Sequence, residues 1–172
     1  KPMTLEELAI FLHRNPSSAV VFMHGRAEIG PRALGHRSIL MNPSLNQGQR
    51  LLNGMKGREA WRPVAPIALE SDAARIFSPG TPDPYMLYDH SINEHFKTVM
   101  PAIVHLDGTA RLQTVGEFDC PVMFELLTHY KRVAGYGVLC NTSANLNGSG
   151  FFPDIESAML WGKCRYVWND GL

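Results

Sequence analysis

The sequence has few cysteines, no excess of charge of either sign and no long apolar run. Its three cysteines, Cys120, Cys140 and Cys164, form no C-x-x-C pair, so we expect no disulfide framework and a reducing, cytoplasmic setting. Lys plus Arg and Asp plus Glu each number 16, which argues against a protein that binds nucleic acid or membranes mainly through net charge. No apolar run could cross a bilayer, and no leader-like segment opens the chain. No His, Cys or Asp cluster has metal-ligand spacing, so no metal is expected here.

The charge that is present is unevenly distributed. Residues 24–62 contain seven cations and two glutamates, a net charge of +5, and the rest of the chain carries the compensating −5. Six of the cations are arginines, whose planar guanidinium binds phosphate through paired hydrogen bonds. A solvated basic face is one interpretation, but interleaved glycines and prolines favour an anion pocket. The seven are Arg26, Arg32, Arg37, Arg50, Lys56, Arg58 and Arg62.

Short apolar runs alternate with amphipathic segments along the chain. A capping box at Thr4 and Glu7, followed by apolar residues at helical spacing, predicts a first helix that ends at Asn15. Mixed strands and helices without an internal repeat predict an α/β (α+β) fold with one core, in a single domain. Further helices are predicted over residues 44–52, 71–77 (Ser71 as N-cap), 119–134 and 154–161 (Asp154 as N-cap). Strands are predicted over residues 19–23, 64–69, 101–106, 110–115, 137–140 and 165–168. Loops are predicted over residues 25–35, 78–89 and 141–150.

The first candidate binding segment is His24–Ser38, which follows a predicted strand. Its glycines let the backbone approach a ligand closely, and amides with guanidiniums can hold phosphate oxygens. The segment is neither a Walker A loop nor a G-x-G-x-x-G fingerprint, so a phosphate site here must be built mainly from side chains. The alternative is a tight turn in which an arginine pairs with Glu28.

The second segment, Lys56–Pro66, runs from a glycine turn into a predicted strand. Lys56 offers a compact point charge, and Arg62 is restricted by the proline that follows it. Glu59 can orient either cation. Trp61 is expected in the core rather than stacked on a base.

The third segment is a predicted hairpin around Asp107–Gly108. Alternate residues of a strand share a face, so Arg111 and Gln113 should point in the same direction. A lone histidine such as His105 is more often structural than a metal ligand, and no second His or Cys stands at ligand spacing.

The fourth segment, Asn141–Gly148, follows a predicted strand. Ser143 and Asn145 are two residues apart and can face one pocket, where short hydroxyl and amide groups bind ribose, phosphate or a carbonyl group. An Asx-rich turn is the alternative. No G-x-S-x-G elbow surrounds Ser143, so a nucleophilic role is not predicted.

Together the four segments resemble a known family. They read H-G-R-A-E-I-G-P-R-A-L-G-H-R-S-I-L, K-G-R-E-A-W-R-P-V-A-P, H-L-D-G-T-A-R-L-Q-T-V and C-N-T-S-A-N-L-N-G. In this order they look like the C-terminal part of the O-carbamoyltransferases, of the nodulation protein U and the cephem and tobramycin carbamoyltransferase type. The last block also resembles a loop of the threonylcarbamoyl-adenylate synthase (YrdC) family, which implies a YrdC-like twisted mixed β-sheet flanked by helices.

The resemblance implies a division of labour between two domains. Residues 1–172 would form the YrdC-like domain, which takes ATP with Mg²⁺ and carbamoyl phosphate and makes carbamoyl-adenylate. An N-terminal Kae1-like domain, expected in cis, would hold an iron-type metal and transfer the carbamoyl group to a hydroxyl acceptor. By position in the motifs, Lys56, Arg62 and Arg111 are the expected catalytic cations. The expected ligands of ATP and the carbamoyl group are Arg32, Lys56, Arg62, Arg111, Ser143 and Asn145.

Two other functions remain open from the sequence. A nucleic-acid-binding module is one, although the zero net charge makes nucleic acid an unlikely partner. The other is a non-catalytic domain that binds a nucleotide without turnover.

Overall fold

A six-stranded mixed sheet runs through the middle of the molecule. The computed structural model describes residues 3–145 and 149–171. From edge to edge the strands are β7 (Gln113–Val115), β3 (Ala65–Leu69), β8 (Val138–Ser143), β2 (Arg37–Met41), β1 (Val20–Met23) and β9 (Tyr166–Asn169). Neighbouring strands pair antiparallel except at two places, where β1 lies parallel to β9 and β3 parallel to β7.

Helices cover both faces of this sheet. Helices α1 (Leu5–Arg14) and α5 (Pro121–Ala134) pack together on one face. The second face is covered by the helices α2 (Gly48–Met55), α3 (Glu70–Ile76) and α6 (Ile155–Trp161) and by a 3₁₀ turn at Pro101–Ile103. A small three-stranded sheet lies on the same face and consists of β4 (Phe77–Ser78), β5 (His90–Ile92) and β6 (Thr109–Ala110). Helix α4 (Glu94–Val99) follows β5.

The two-residue period of a strand explains the double core. On β1, Val20 and Phe22 belong to the apolar cluster beneath α1 and α5, whereas Val21 and Met23 belong to the opposite cluster. A strand buried on both faces reads as a continuous apolar run, as this one does. The predicted α/β (α+β) fold with a mixed sheet flanked by helices is confirmed, but the described residues form two apolar clusters in place of the predicted single core.

Several predicted boundaries are also confirmed. The Thr4–Glu7 capping box is present, with the Thr4 N–H donating to Glu7 Oε2 (2.8 Å) and the Glu7 N–H donating to Thr4 Oγ1 (3.1 Å). Asp154 caps α6 by accepting from the Ser157 N–H at 2.8 Å. Local signals set both of these helix starts.

Other predicted elements are wrong. Residues 101–106 contain a 3₁₀ turn in place of a strand, since Pro101 has no N–H to give to a ladder. Ser71 is not an N-cap, because α3 already begins at Glu70. The predicted strand 110–115 is divided between two sheets, so the predicted hairpin does not form.

The fourth segment also differs from its prediction, since Asn141–Ser143 continue β8, and Leu146–Gly148 lie outside the described residues. The strands β2 and β5 and the helix α4 were not predicted. Over residues 3–145 and 149–171, no helix is both long enough and apolar enough to span a membrane.

A buried carboxylate links helices from the two faces of the sheet to the start of β8. Asp72 on α3 is 2% exposed and accepts hydrogen bonds from Lys131 Nζ on α5 (2.9 Å), from the Gly137 N–H before β8 (2.8 Å) and from Arg75 (3.1 Å). Burial alone would raise the pKa of this carboxyl, but the three hydrogen bonds outweigh it and lower the pKa below its usual value.

We predict that Asp72→Ala lowers the free energy of unfolding by about 2–3 kcal/mol at neutral pH, because it leaves a buried N–H unpaired. The difference from wild type should shrink as pH falls through the lowered pKa, where the wild-type carboxylate is protonated. Urea unfolding of both proteins measures it. Glu70→Ala, an exposed change on the same helix, should cost about 0.5 kcal/mol or less. Equal costs at both positions would contradict this role of Asp72.

Candidate anion-binding site

A small cleft lies where the glycine-rich loop (residues 25–35), the segment that follows α2 and the end of β8 meet. Its volume is about 80 Å³, which suits one carbamoyl or phosphoryl group, so a nucleotide would extend beyond it. The described lining holds arginine, amide and hydroxyl groups but no carboxylate. These lining residues are Pro31, Arg32, Ala33, Arg58, Pro63, Ala65, Met86, Arg111, Asn141, Thr142 and Ser143.

The Lys56 side chain joins the second and fourth sequence segments beside the cleft. Its ammonium donates to the Ser143 carbonyl oxygen, to Ser143 Oγ (3.0 Å) and to Asn145 Oδ1 (2.8 Å). Burial, and next the charge of Arg58, lower the pKa of Lys56 to about 8. The structure therefore brings together three of the predicted site residues.

Among the described lining residues, Arg58 is the one cation that the predicted set omits. Its Nε donates to Asn53 Oδ1 (2.5 Å) and its Nη2 to Thr142 Oγ1 (3.3 Å). Burial and the charges of Arg62 and Arg111 lower its pKa, against the opposing effect of Glu59. The sequence feature that could have identified Arg58 is its position among the seven cations of residues 24–62, two residues after Lys56.

Arg32 and Arg111 enter the cleft from other parts of the chain. The pKa of Arg111 is lowered by burial and then by the charge of Arg32, while Asp89 opposes the shift, so the two arginines interact. The Arg111 Nε is buried and has no hydrogen-bond partner among the described residues. A buried donor of this kind needs an acceptor, which an anion or carbonyl group can provide.

The predicted catalytic residue Arg62 does not line the cleft. Its side chain is 53% exposed and forms an ion pair with Glu59 (3.5 Å). Its charge reaches Arg58, so it lies near the site. The predicted role of Arg62 as a ligand stays a prediction.

The glycine-rich loop is closed by a carboxylate that binds amides. Glu28 Oε1 accepts from the N–H groups of Leu34 (2.7 Å), His36 (2.8 Å) and Arg37 (3.1 Å). The tight turn considered from the sequence is therefore present, but backbone amides are the partners of Glu28 in these bonds. The turn carries Arg32 to the cleft, so the turn and the pocket coexist.

Arg37, by contrast, is structural. It is 7% exposed, and its guanidinium donates to the carbonyl oxygens of His24, Gly25, His36 and Phe152 at 2.9–3.0 Å. Arg37, one of the seven cations of residues 24–62, thus holds the glycine-rich loop together and is not available to a ligand.

The histidines of the described ranges do not line the cleft. His105 interacts through Nδ1 with Thr109 Oγ1 (3.1 Å), and burial lowers its pKa. Over these ranges, no group of three or more His, Cys, Asp or Glu side chains is placed to hold a metal ion.

Comparison with known proteins identifies the family. A family model described as "Carbamoyltransferase C-terminus" matches residues 14–163, so the chain belongs to the family of carbamoyltransferase C-terminal domains. It is 53% identical over 171 residues to nodulation protein U of Rhizobium tropici, covering 99% of this chain and 29% of that protein.

A second relative is the 3'-hydroxymethylcephem-O-carbamoyltransferase of Amycolatopsis lactamdurans. It is 41% identical over 148 residues, which cover 86% of this chain and 28% of that protein. The chain therefore spans less than a third of the length of these curated relatives.

Two solved structures share the fold at low sequence identity. Full-length HypF in a phosphate- and nucleotide-bound form aligns with a TM-score of 0.66 and 14% identity, over 95% of this chain and 24% of HypF. A Sua5 variant from P. abyssi aligns with a TM-score of 0.61 and 13% identity, over 97% of this chain and 46% of Sua5. The YrdC-like fold expected from the sequence is confirmed.

The lowered pKa of Lys56 predicts a pH dependence for anion binding. A bound anion favours the charged ammonium, so the affinity should be highest below pH 8 and fall as pH rises through about 8. ATP titrated calorimetrically from about pH 7.5 to 9.5 tests this, because its phosphates are ionised throughout. Lys56→Met should remove the slope, and Lys97→Met, on α4 away from the cleft, should keep it. A slope that persists without Lys56 would contradict the prediction.

Proposed function

We propose that this chain binds ATP and carbamoyl phosphate and forms carbamoyl-adenylate. In the intact protein it would follow an N-terminal Kae1-like domain in cis, which passes the carbamoyl group to a hydroxyl acceptor. The observation that carries this proposal is the convergence of Arg32, Arg58 and Arg111 on one cleft whose described lining has no carboxylate, with Lys56 beside it. Membership of the carbamoyltransferase C-terminal family supports this assignment.

The proposed reaction has two steps. Water attacks the carbonyl carbon of carbamoyl phosphate, a new C–O bond forms, the C–O bond to the phosphate breaks, and carbamate, inorganic phosphate and a proton released to solvent result. A carbamate oxygen then attacks the α-phosphorus of ATP, a new P–O bond forms, the bond to the β-phosphate oxygen breaks, and pyrophosphate leaves with the electron pair. Negative charge therefore moves onto the leaving pyrophosphate, and fixed cations stabilise that charge.

Positioned cations can supply most of what this chemistry needs. Each fixed electrostatic contact to the transition state can contribute about 3–4 kcal/mol. The three hydrogen bonds of the Lys56 ammonium use all of its N–H groups. Lys56 would therefore act on the phosphates through its charge, or by exchanging one of these bonds for a phosphate oxygen, while Ser143 and Asn145 hold it in place.

No general base is required for the adenylation step, because carbamate is already anionic. Mg²⁺ would arrive with ATP and be held mainly by the triphosphate, since the described lining offers hydroxyl and amide oxygens but no carboxylate. We place the iron-type metal in the N-terminal domain, whose residues are not part of this chain.

Two alternatives give different measurable behaviour. A nucleic-acid-binding module would bind RNA with a steep salt dependence and no effect of ATP. A nucleotide-binding domain without turnover would bind ATP but support no pyrophosphate exchange. The cleft is small, and its buried Arg111 Nε has no hydrogen-bond partner in the part of the chain that the structure describes, which favours a compact ligand group over an extended polyanion.

We predict that exchange of labelled pyrophosphate into ATP, in the intact protein, depends on carbamoyl phosphate and on Lys56. Lys56→Ala and Ser143→Ala should each reduce the exchange rate by about 100-fold or more, because each disturbs a preorganised charge. His36→Ala and His105→Ala should lose less than Lys56→Ala, since no histidine base is needed.

Arg50→Ala is the matched control for this experiment. Arg50 is another of the seven cations of residues 24–62, but it is exposed on α2 and does not line the cleft. Its removal should leave the exchange rate within about twofold of wild type, in line with a surface change that disturbs no contact. If a histidine substitution abolishes exchange while Lys56→Ala preserves it, the charge-stabilisation mechanism is wrong.

A further inference from the structure

The buried side chains of Asn141 and Gln113 form a hydrogen-bonded pair behind the cleft. The Gln113 Nε2 donates to the Leu34 carbonyl oxygen (3.0 Å), and Gln113 Oε1 accepts from Asn141 Nδ2 (2.9 Å). Asn141 Nδ2 also donates to the Ala33 carbonyl oxygen (2.9 Å). Carbonyl groups can only accept, so they fix which end of each amide is nitrogen.

This hydrogen-bonded pair leaves the Asn141 Oδ1 acceptor without a donor among the described residues. Both N–H groups of Asn141 are engaged, and a flipped amide would set Oδ1 against the Ala33 carbonyl oxygen. Asn141 is 2% exposed and lines the cleft, and its Oδ1 has no hydrogen-bond partner within residues 3–145 and 149–171. A buried acceptor without a donor is costly, so the geometry calls for a ligand donor.

The same cleft contains the complementary unused donor. Arg111 Nε is buried and lacks a hydrogen-bond partner over the same residues, and Arg111 lines the cleft with Asn141. Two residues that line this cleft of about 80 Å³ thus carry one acceptor and one donor without a partner among the described residues. Carboxylates and fully ionised phosphate esters present only acceptors, so they can use the Arg111 donor but leave Asn141 Oδ1 unsatisfied.

We infer that Asn141 and Arg111 form the subsite for the carbamoyl group, with Asn141 as the residue that selects its amino group. Asn141 Oδ1 accepts a hydrogen bond from the carbamoyl NH₂, and Arg111 Nε–H donates to the carbamoyl carbonyl oxygen. The inference rests on the proposed function. It adds a physical reason for the site to select a carbamoyl group: an acyl group without an NH₂ group leaves Asn141 Oδ1 without a hydrogen-bond donor. Gln113 is a positioning residue, because it acts on the ligand through Asn141.

The direct test compares two acyl phosphates on the intact wild-type protein. Acetyl phosphate carries a methyl group where carbamoyl phosphate carries NH₂, and the two are otherwise closely matched. Calorimetry should show carbamoyl phosphate binding about tenfold or more tightly, because acetyl phosphate leaves Asn141 Oδ1 unpaired. Equal affinities would overturn the inference and leave the proposed function standing. Failure of wild type to bind either compound would overturn both.

Substitutions then separate the two contacts. Asn141→Leu should bring the ratio of the two affinities close to one. Arg111→Lys, which keeps the charge but removes the Nε–H, should weaken both ligands by about the same factor, on the order of tenfold. A selectivity that survives Asn141→Leu would contradict the assignment of Asn141.

Asn42→Leu is the control for the loss of a buried asparagine. Asn42 Nδ2 donates to the carbonyl oxygens of Leu12 and His13 (both 3.3 Å), away from the cleft lining. This variant should retain the wild-type preference for carbamoyl phosphate. If Asn141→Leu does not fold, the comparison of the two ligands on wild type still decides the question.

Discussion

The partial burial of several cations at one small cleft is the constraint on which the rest of the structure depends. Burial is the largest cause that lowers the pKa values of Lys56, Arg58 and Arg111. Repulsion adds to it: Arg58 acts on Lys56, Arg62 and then Arg111 act on Arg58, and Arg32 acts on Arg111. Such an arrangement opposes folding, so the scaffold must hold it. A bound polyanion relieves the repulsion, which links the electrostatic cost of the site to its affinity.

The scaffold holds these cations in place through several elements. The antiparallel pairing of β2 with β8 sets Ser38 opposite Ser143, which brings the glycine-rich loop close to the end of β8. Glu28 closes that loop through backbone amides. The turn after α2 then directs Lys56 towards Ser143 and Asn145. The site is therefore a consequence of sheet order rather than of any one motif.

Local signals predicted part of this fold, and non-local pairing explains the remainder. The capping box of α1 and the Asp154 cap of α6 could be read from neighbouring residues. The strand β2 was missed because its first residues were assigned to the glycine-rich motif, and the end of β8 was missed because Asn141–Ser143 have the composition of a turn. The sequence indicated the basic segments, but only the fold separates Arg58, which lines the cleft, from Arg37, which binds carbonyl groups.

The central claim is that the cleft between the glycine-rich loop and the end of β8 binds the phosphates and the carbamoyl group. A crystal structure of the intact protein with ATP and carbamoyl phosphate tests it most directly. The account predicts phosphate oxygens within about 3.2 Å of guanidinium nitrogens of Arg58 and Arg111 and next to Lys56. A nucleotide bound instead in the larger cleft lined by Ile29, Tyr85 and Phe118, with its phosphates away from these cations, would contradict it.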